Sequence, residues 1–376
     1  MVQEKPQVIR LARPQIGQEE IKEVSKVLGS GFLVQGKNVE KFETKVAEYL
    51  KVKYAIAVSS GTAALHLSLM ALGIKEGDEV ILPDFTFPAT GNVVALVGAK
   101  PILVDIDLKT YNIDPTKIEE NITPQTKAVI PVHEFGQAAD IDSILAIAGK
   151  YDLSTIEDAA CALGAESKGR KCGTLGDIGC FSFHPRKAIT TGEGGMVVTN
   201  SKQLAEKARA LRNHGMAIKE GRNSFEYAGF NYRMTDFQGA MGWIQIKKLD
   251  EIIEKRRALA SSYNALLKDL KEIQTPFEKA GNKHIYQSYV VLLNKQIKRD
   301  NIIRKLRERG IETTIGTYCL HCQPFYRKNY SYRDGQFKNS STAFKQSLCL
   351  PLHIKLKPVD ARKVKDLLLK TICMGM

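Results

Sequence analysis

Apolar residues fall in short runs that alternate with helix-forming stretches through the first two thirds of the chain. Residues 54–58, 79–82, 101–104, 128–132, 154–156, 179–183 and 195–199 each read as a short buried strand. Between them, residues 63–72, 140–150 and 204–211 carry helical patterns. Strands that alternate with helices imply parallel βαβ units. Beyond residue 236 the pattern changes: residues 237–267 read as one or two long helices, followed by a strand at 288–292 and a helix at 302–309. The expected fold class is α/β. Residues 1–250 should form a large α/β domain, and residues 251–376 a smaller α+β domain. No solenoid-period repeat interrupts this order.

Composition narrows the function classes. The chain has 376 residues, with 55 Lys and Arg against 41 Asp and Glu, a net charge of +14. A basic surface attracts nucleic acid, anionic membranes or small anionic substrates. The charges are dispersed, however, in pairs such as Lys247-Lys248 and Arg256-Arg257, with no basic arm or aromatic-interleaved stripe. Nucleic acid is therefore not an expected partner. Seven cysteines in a long chain do not resemble a secreted disulfide framework. Cys319-Leu-His-Cys322 has no second pair at zinc-ribbon spacing, so no metal is expected. The start, MVQEKPQVIR, lacks a signal-like apolar segment, and no apolar run is long enough to span a membrane. The expected compartment is the cytoplasm.

Three segments carry candidate chemistry. Ser59-Ser60-Gly61-Thr62-Ala63 joins a strand to a helix, where small residues and free N–H groups suit a phosphate. The same residues also fit a plain N-cap. Asp158, after the apolar strand at 154–156, should lie at a carboxyl end of the sheet, where ligands bind in open parallel sheets. It could equally be a surface acid. Lys187 lies between an apolar strand and the turn Thr190-Thr-Gly-Glu-Gly-Gly195; desolvation there should lower the amine's pKa and make it nucleophilic toward aldehydes. Ser182, nearby, offers a hydroxyl to an anion. A phosphate cradle, a carboxylate and an amine together make the set that pyridoxal phosphate requires. His133-Glu134 invites a metalloprotease reading, which fails because residue 137 is Gln rather than His.

In order, the chain contains SSGTAALHLSLMALGIKEGDEVILP (59–83), PILVDIDLKTYNIDP (101–115), PVHEFGQAADID (131–142), IEDAACALGA (156–165), GDIGCFSFHPRKAITTGEGGMVVTN (176–200), NYRMTDFQGAMG (231–242), HCQPFY (321–326) and LCLPLH (348–353). These motifs resemble the DegT/DnrJ/EryC1/StrS family of sugar-nucleotide aminotransferases, of the aspartate-aminotransferase fold (fold type I). The resemblance implies pyridoxal 5'-phosphate held as a Schiff base on Lys187, with Asp158 on its ring nitrogen. It places Phe87 against the ring, and Gly61, Thr62 and Ser182 on the phosphate, with Ala63 beside them. Asn231 would reach the phosphate of a neighbouring subunit, making the active unit a homodimer. Cys161 stands where the family usually has His or Gln, which puts a contact to the cofactor's hydroxyl or ring face in question. Tyr318, His321 and Gln137 match segments that border the substrate. The implied partners are a nucleotide-diphosphate sugar and glutamate as amino donor. The run from Thr190 to Gly195 resembles members that aminate C4 rather than C3. Dehydratases of the family replace the lysine, which argues against that chemistry here. The intact trio of Thr62, Asp158 and Lys187 argues against a non-catalytic regulator.

Overall fold

The computed structural model describes residues 8–373. Its central sheet has seven strands, β1 (Tyr54–Val58), β2 (Glu79–Pro83), β3 (Lys100–Val104), β4 (Thr126–Val129), β5 (Ser154–Asp158), β6 (Ile178–Ser182) and β7 (Gly195–Thr199). They lie in the order β1-β7-β6-β5-β4-β2-β3. All are parallel except β7, which runs antiparallel to both β1 and β6. The connection from β6 to β7 carries Lys187 and contains no helix, so β7 returns directly beside β6.

The large domain's helices are α1 (Gln18–Ser30), α2 (Lys37–Leu50), α3 (Gly61–Leu72), α4 (Pro88–Leu96), α5 (Ile141–Lys150), α6 (Lys202–Arg212) and α7 (Asp236–Lys247). Helix α3 is apolar around its circumference and almost wholly buried. Pleat alternation divides the strand residues between two helical layers. Ile56, Ile156, Cys180 and Val197 pack with α3, α4 and α6, while Ala55, Ala57, Phe181, Met196 and Val198 pack with α2 and α7. Ser182 and Asp158 lie two residues beyond Cys180 and Ile156, so they share the α3–α4 face of the sheet.

Helix α8 (Leu249–Leu267) passes from one domain to the other. Leu249, Ile252 and Ile253 join the large-domain core, whereas Leu259, Ala260, Tyr263 and Leu267 join a second core. That core is built on a three-stranded antiparallel sheet, β8 (Ile273–Gln274), β9 (Tyr289–Leu293) and β10 (Ser347–Leu350). Helices α9 (Arg299–Glu308), α10 (Pro324–Tyr330), α11 (Lys338–Gln346) and α12 (Pro358–Cys373) complete this part of the chain. One expectation needs correction. The start of the described chain packs with the small domain: Ile9 bridges to Ile311, and its backbone exchanges hydrogen bonds with Gly310 at 2.8 Å and Glu312 at 2.9 Å. The β-branched Ile9 buries its side chain among Leu259, Ile302 and Leu306, a contact that local pattern does not reveal.

Candidate active site

The carboxyl ends of β5 and β6 and the N-termini of α3 and α4 enclose a cavity of about 300 Å³, large enough for a small cofactor. Its wall includes Gly61, Thr62, Phe87, Asp158, Cys161, Ser182 and Lys187. The sequence therefore identified residues that the fold brings together from four separate segments.

At the α3 end, Ser60 caps the helix and its Oγ accepts from Ala63 N at 3.1 Å. The N-cap and cavity readings of this segment hold together. Gly61 and Thr62, at the first two helical positions, keep N–H groups without intrahelical acceptors. A Cβ on Gly61 would stand 2.8 Å from Ser182 Cβ, so only glycine lets this helix end approach the tip of β6 so closely. Ala63 departs from expectation. It is buried under the helix, its N–H is taken by Ser60, and it does not line the cavity.

Asp158 is buried at the end of β5. Oδ2 accepts from Thr90 Oγ1 at 2.7 Å, and Oδ1 accepts from Ala160 N at 3.1 Å. Burial pushes its carboxyl above the ordinary range, and the pull of Thr90, Ala160 and Lys187 does not fully offset this. The preceding residue points to the opposite side of the sheet. Glu157 there accepts from Gly173, Leu175 and Gly176 N–H groups at 2.8, 2.5 and 2.7 Å and pairs with His133 Nε2 at 2.8 Å. Ala139 N donates to His133 Nδ1 at 3.0 Å, so the ring proton sits on Nε2 and His133 is a structural strut.

Lys187 follows β6 in a turn held by its N–H to His184 O at 2.8 Å, and Gln287 donates to Arg186 O. Its Nζ donates to Cys161 Sγ at 3.0 Å. The charge state differs from expectation. Burial opposes the ammonium, but Cys161, Asp158 and Glu134 outweigh it and raise the amine's pKa. Burial also raises the Cys161 thiol, with Lys187 pulling it back down. Phe87 is the N-cap residue of α4, 61% exposed, with its ring 6.2 Å from that of Tyr318 at the cavity's edge.

Other expected residues lie elsewhere. His321 is fully buried, with Nδ1 at 2.7 Å from Asp84 Oδ2 and its N–H at 2.7 Å from Asp84 Oδ1. It ties the small domain to the segment after β2 and does not face the cavity. Cys319 Sγ lies 2.9 Å from Asp84 Oδ2 and 3.0 Å from His321 Nδ1. Cys322 stands beside them, and the ligand atoms of Cys319, His321 and Cys322 all lie within 4.8 Å of one another. Gln137 is buried beside a small separate void, with Nε2 donating to Phe277 O at 2.8 Å. The His321 ring and Gln137 Nε2 are engaged in tertiary contacts, while Gln137 Oε1 is buried with no hydrogen-bond partner among the described residues. Asn231 is exposed outside the cavity, paired through its backbone with Asn213. Sequence reasoning missed Thr90, and it set aside Glu134 with the failed metalloprotease reading and His184 as structural; all three lie on the cavity wall. Thr90 lies three residues beyond Phe87, one helical turn along, which was the available signal.

A family model described as the DegT/DnrJ/EryC1/StrS aminotransferase family matches residues 14–369. GDP-perosamine synthase of Caulobacter vibrioides is 41% identical over 332 residues, covering 88% of each chain. The structure superposes on Helicobacter pylori PseC, an aminotransferase of pseudoaminic acid biosynthesis, with a TM-score of 0.93 and 30% identity over 98% of this chain and 100% of that one. It also superposes on the PLP-form of a sugar aminotransferase described as putative, Spr1654 of Streptococcus pneumoniae, with a TM-score of 0.93 and 25% identity over 98% and 100% of the two chains.

Proposed function

The chain belongs to the DegT/DnrJ/EryC1/StrS aminotransferase family, and from that premise we propose that it moves an amino group from glutamate to the C4 keto group of a nucleotide-diphosphate sugar. Its fold is the type I fold of pyridoxal-phosphate enzymes, and it is a pyridoxal-phosphate-dependent aminotransferase.

The arrangement of Lys187 and Asp158 on one cavity, opposite the open end of α3, carries this reading. The close approach of Gly61 to Ser182, the free N–H groups of α3 and the buried carboxylate suit the phosphate and cationic ring of the cofactor. Gly61, Thr62 and Ser182 would hold the phosphate, Asp158 the ring nitrogen, and Phe87 one face of the ring. When bound, the cofactor supplies an electron sink for the carbon that gains or loses the amino group. Lys187 provides the covalent anchor and carries a proton on Nζ. Thr90 fixes the rotamer of Asp158 through its 2.7 Å hydrogen bond. Leu65, Phe135, Leu350 and Leu352 contribute apolar wall to the cavity.

The active unit in this proposal is a homodimer. Phe32 and Val34 between α1 and α2 are 80% and 71% exposed, and Phe225 near Asn231 is 68% exposed. Such exposed apolar side chains suit a partner surface, and Asn231 would then serve the neighbour's phosphate. The names of the related proteins support an activated sugar as acceptor, and the net charge of +14 suits a diphosphate.

The test is a half-reaction. Protein loaded with cofactor should lose its visible band on adding glutamate and regain it with one nucleotide-linked 4-keto sugar. Recovery only with 3-keto sugars would reassign the carbon. A band that glutamate leaves unchanged would remove glutamate as donor.

A further inference from the structure

Glu134 is a buried acid on the cavity wall that the mechanism above does not use. The loop after β4 extends the ladder beside β5: Val132 bridges to Asp158, and His133 N donates to Asp158 O at 3.0 Å. The next residue is thereby placed at the same end of the sheet as Asp158. Phe135 at φ +56° and Gly136 at φ +93° then turn the chain sharply. This left-handed step is costly for an aromatic residue, and it is fixed from several sides. Asn112 Oδ1 accepts from Glu134 N at 2.8 Å, Gly136 O accepts from Ile285 N at 3.1 Å, and a Cβ on Gly136 would meet Ile285 at 2.6 Å.

The result is a side chain only 5% exposed that lines the cavity with Asp158, Cys161 and Lys187. No described residue donates a hydrogen bond to its carboxyl oxygens. The charged groups facing it are Asp158 and Lys187; Lys109, Tyr111 and His284 line the small void on its other side. Asp158 and Glu134 thus compete for one ammonium. Asp158 has Thr90 and Ala160 as donors and Glu134 has none, so the proton goes to Glu134. Burial and Asp158 push its carboxyl up to about 8, with Lys187 pulling the other way.

The cofactor's phenolic oxygen is ortho to the aldehyde carbon that Lys187 takes, so a group facing the amine is near that oxygen too. Position 161, where the family usually has His or Gln, offers only a thiol, a weak donor whose sulfur accepts from Lys187. We infer that Glu134 enters the site as a neutral carboxylic acid and donates the hydrogen bond to the cofactor's phenolic oxygen. This rests on the aminotransferase reading and adds to it a residue that contacts the cofactor.

Two measurements test it. In cofactor-free protein at neutral pH, the infrared C=O band of a protonated carboxyl should be present in wild type and missing in Glu134→Gln. Absence of a band difference would overturn the neutral acid whatever the enzyme does. In protein reconstituted with pyridoxal phosphate, the visible band titrates as the covalently held nitrogen loses its proton. A neutral donor stabilises the negative oxygen most after that loss, so Glu134→Leu should move the midpoint up by about one pH unit. Glu134→Gln, which keeps a donor, should stay near wild type. A downward shift in Glu134→Leu would mean that position 134 is a carboxylate paired with the cation, and would sink the proposal. Wild-type protein that forms no visible band at all would instead sink the cofactor reading, with the infrared result still reporting on Glu134.

Discussion

Lys187 and Cys161 are 26 residues apart in sequence, yet the amine of the first donates to the sulfur of the second at 3.0 Å. The lysine that should carry the cofactor is therefore held charged and oriented before any cofactor arrives. Replacing Cys161 with Ala removes one of the groups that raise the amine's pKa, after burial which lowers it. The pH midpoint for acylation of Lys187 in cofactor-free protein should fall below the wild-type value, as read by peptide mass spectrometry after labelling at several pH values.

Lys187→Ala should abolish the adduct that borohydride fixes to the peptide containing residue 187. Turnover should fall by at least about a thousandfold, since both the anchor and the proton carrier are lost. Binding of cofactor to the variant, measured by fluorescence, should persist, because the phosphate and ring contacts are separate from the lysine.

Asp158→Asn keeps the shape and removes the charge. Transamination should drop by roughly a hundred- to a thousandfold, the scale of removing one preorganised electrostatic contact. Single-turnover absorption with glutamate checks this. Thr90→Val should give a smaller loss, because it frees Asp158 from its 2.7 Å hydrogen bond without removing the acid.

Gly61→Ala places a methyl group 2.8 Å from Ser182 Cβ. Helix α3 must retreat from the tip of β6, and cofactor affinity should weaken about tenfold or more. Equilibrium dialysis against pyridoxal phosphate would measure the loss, with little change expected in far-ultraviolet circular dichroism.

Glu134 also leaves a mark on stability. Its folded carboxyl titrates near 8, above its ordinary 4.5, so the folded protein binds the proton more tightly than the unfolded chain does. Stability from this group is intact below about 4.5 and is lost as pH rises toward 8. Cofactor-free Glu134→Gln should therefore melt higher than wild type, by an amount that grows across that window and levels off above it. Differential scanning calorimetry at four pH values would show the trend.

His321→Ala should behave differently from all of these. It removes a fully buried 2.7 Å hydrogen bond to Asp84 and leaves that acceptor short of a partner, which costs about 1–3 kcal/mol before the cavity is counted. The melting temperature should fall sharply, while KM for the sugar, measured well below that temperature, should hold. A large rise in KM with unchanged stability would restore His321 to the substrate site.

Seven strands and helices α3 and α5 to α9 are legible because short apolar runs and helical periodicity are local properties, whereas α1, α2, α4 and α12 are not read from the pattern. The strands at 54–58 and 195–199 match their sequence ranges to the residue, and Gly61, Ser60 and Lys187 stand out locally as a glycine, a small N-cap and a lysine beside a strand. The pattern could not show that Ile9 belongs with Ile311, that His321 is spent on Asp84, or that Gln137 faces a separate void. Nor could it show that Glu134 shares a cavity with Asp158 and Lys187. Each of those facts depends on which side chains meet across long sequence separations, and on which polar groups burial leaves to compete for the same partner. Residue order alone pointed to Gly61, Thr62, Asp158, Ser182 and Lys187; the packing of strand ends against helix N-termini brought them to one cavity and set their charges and neighbours.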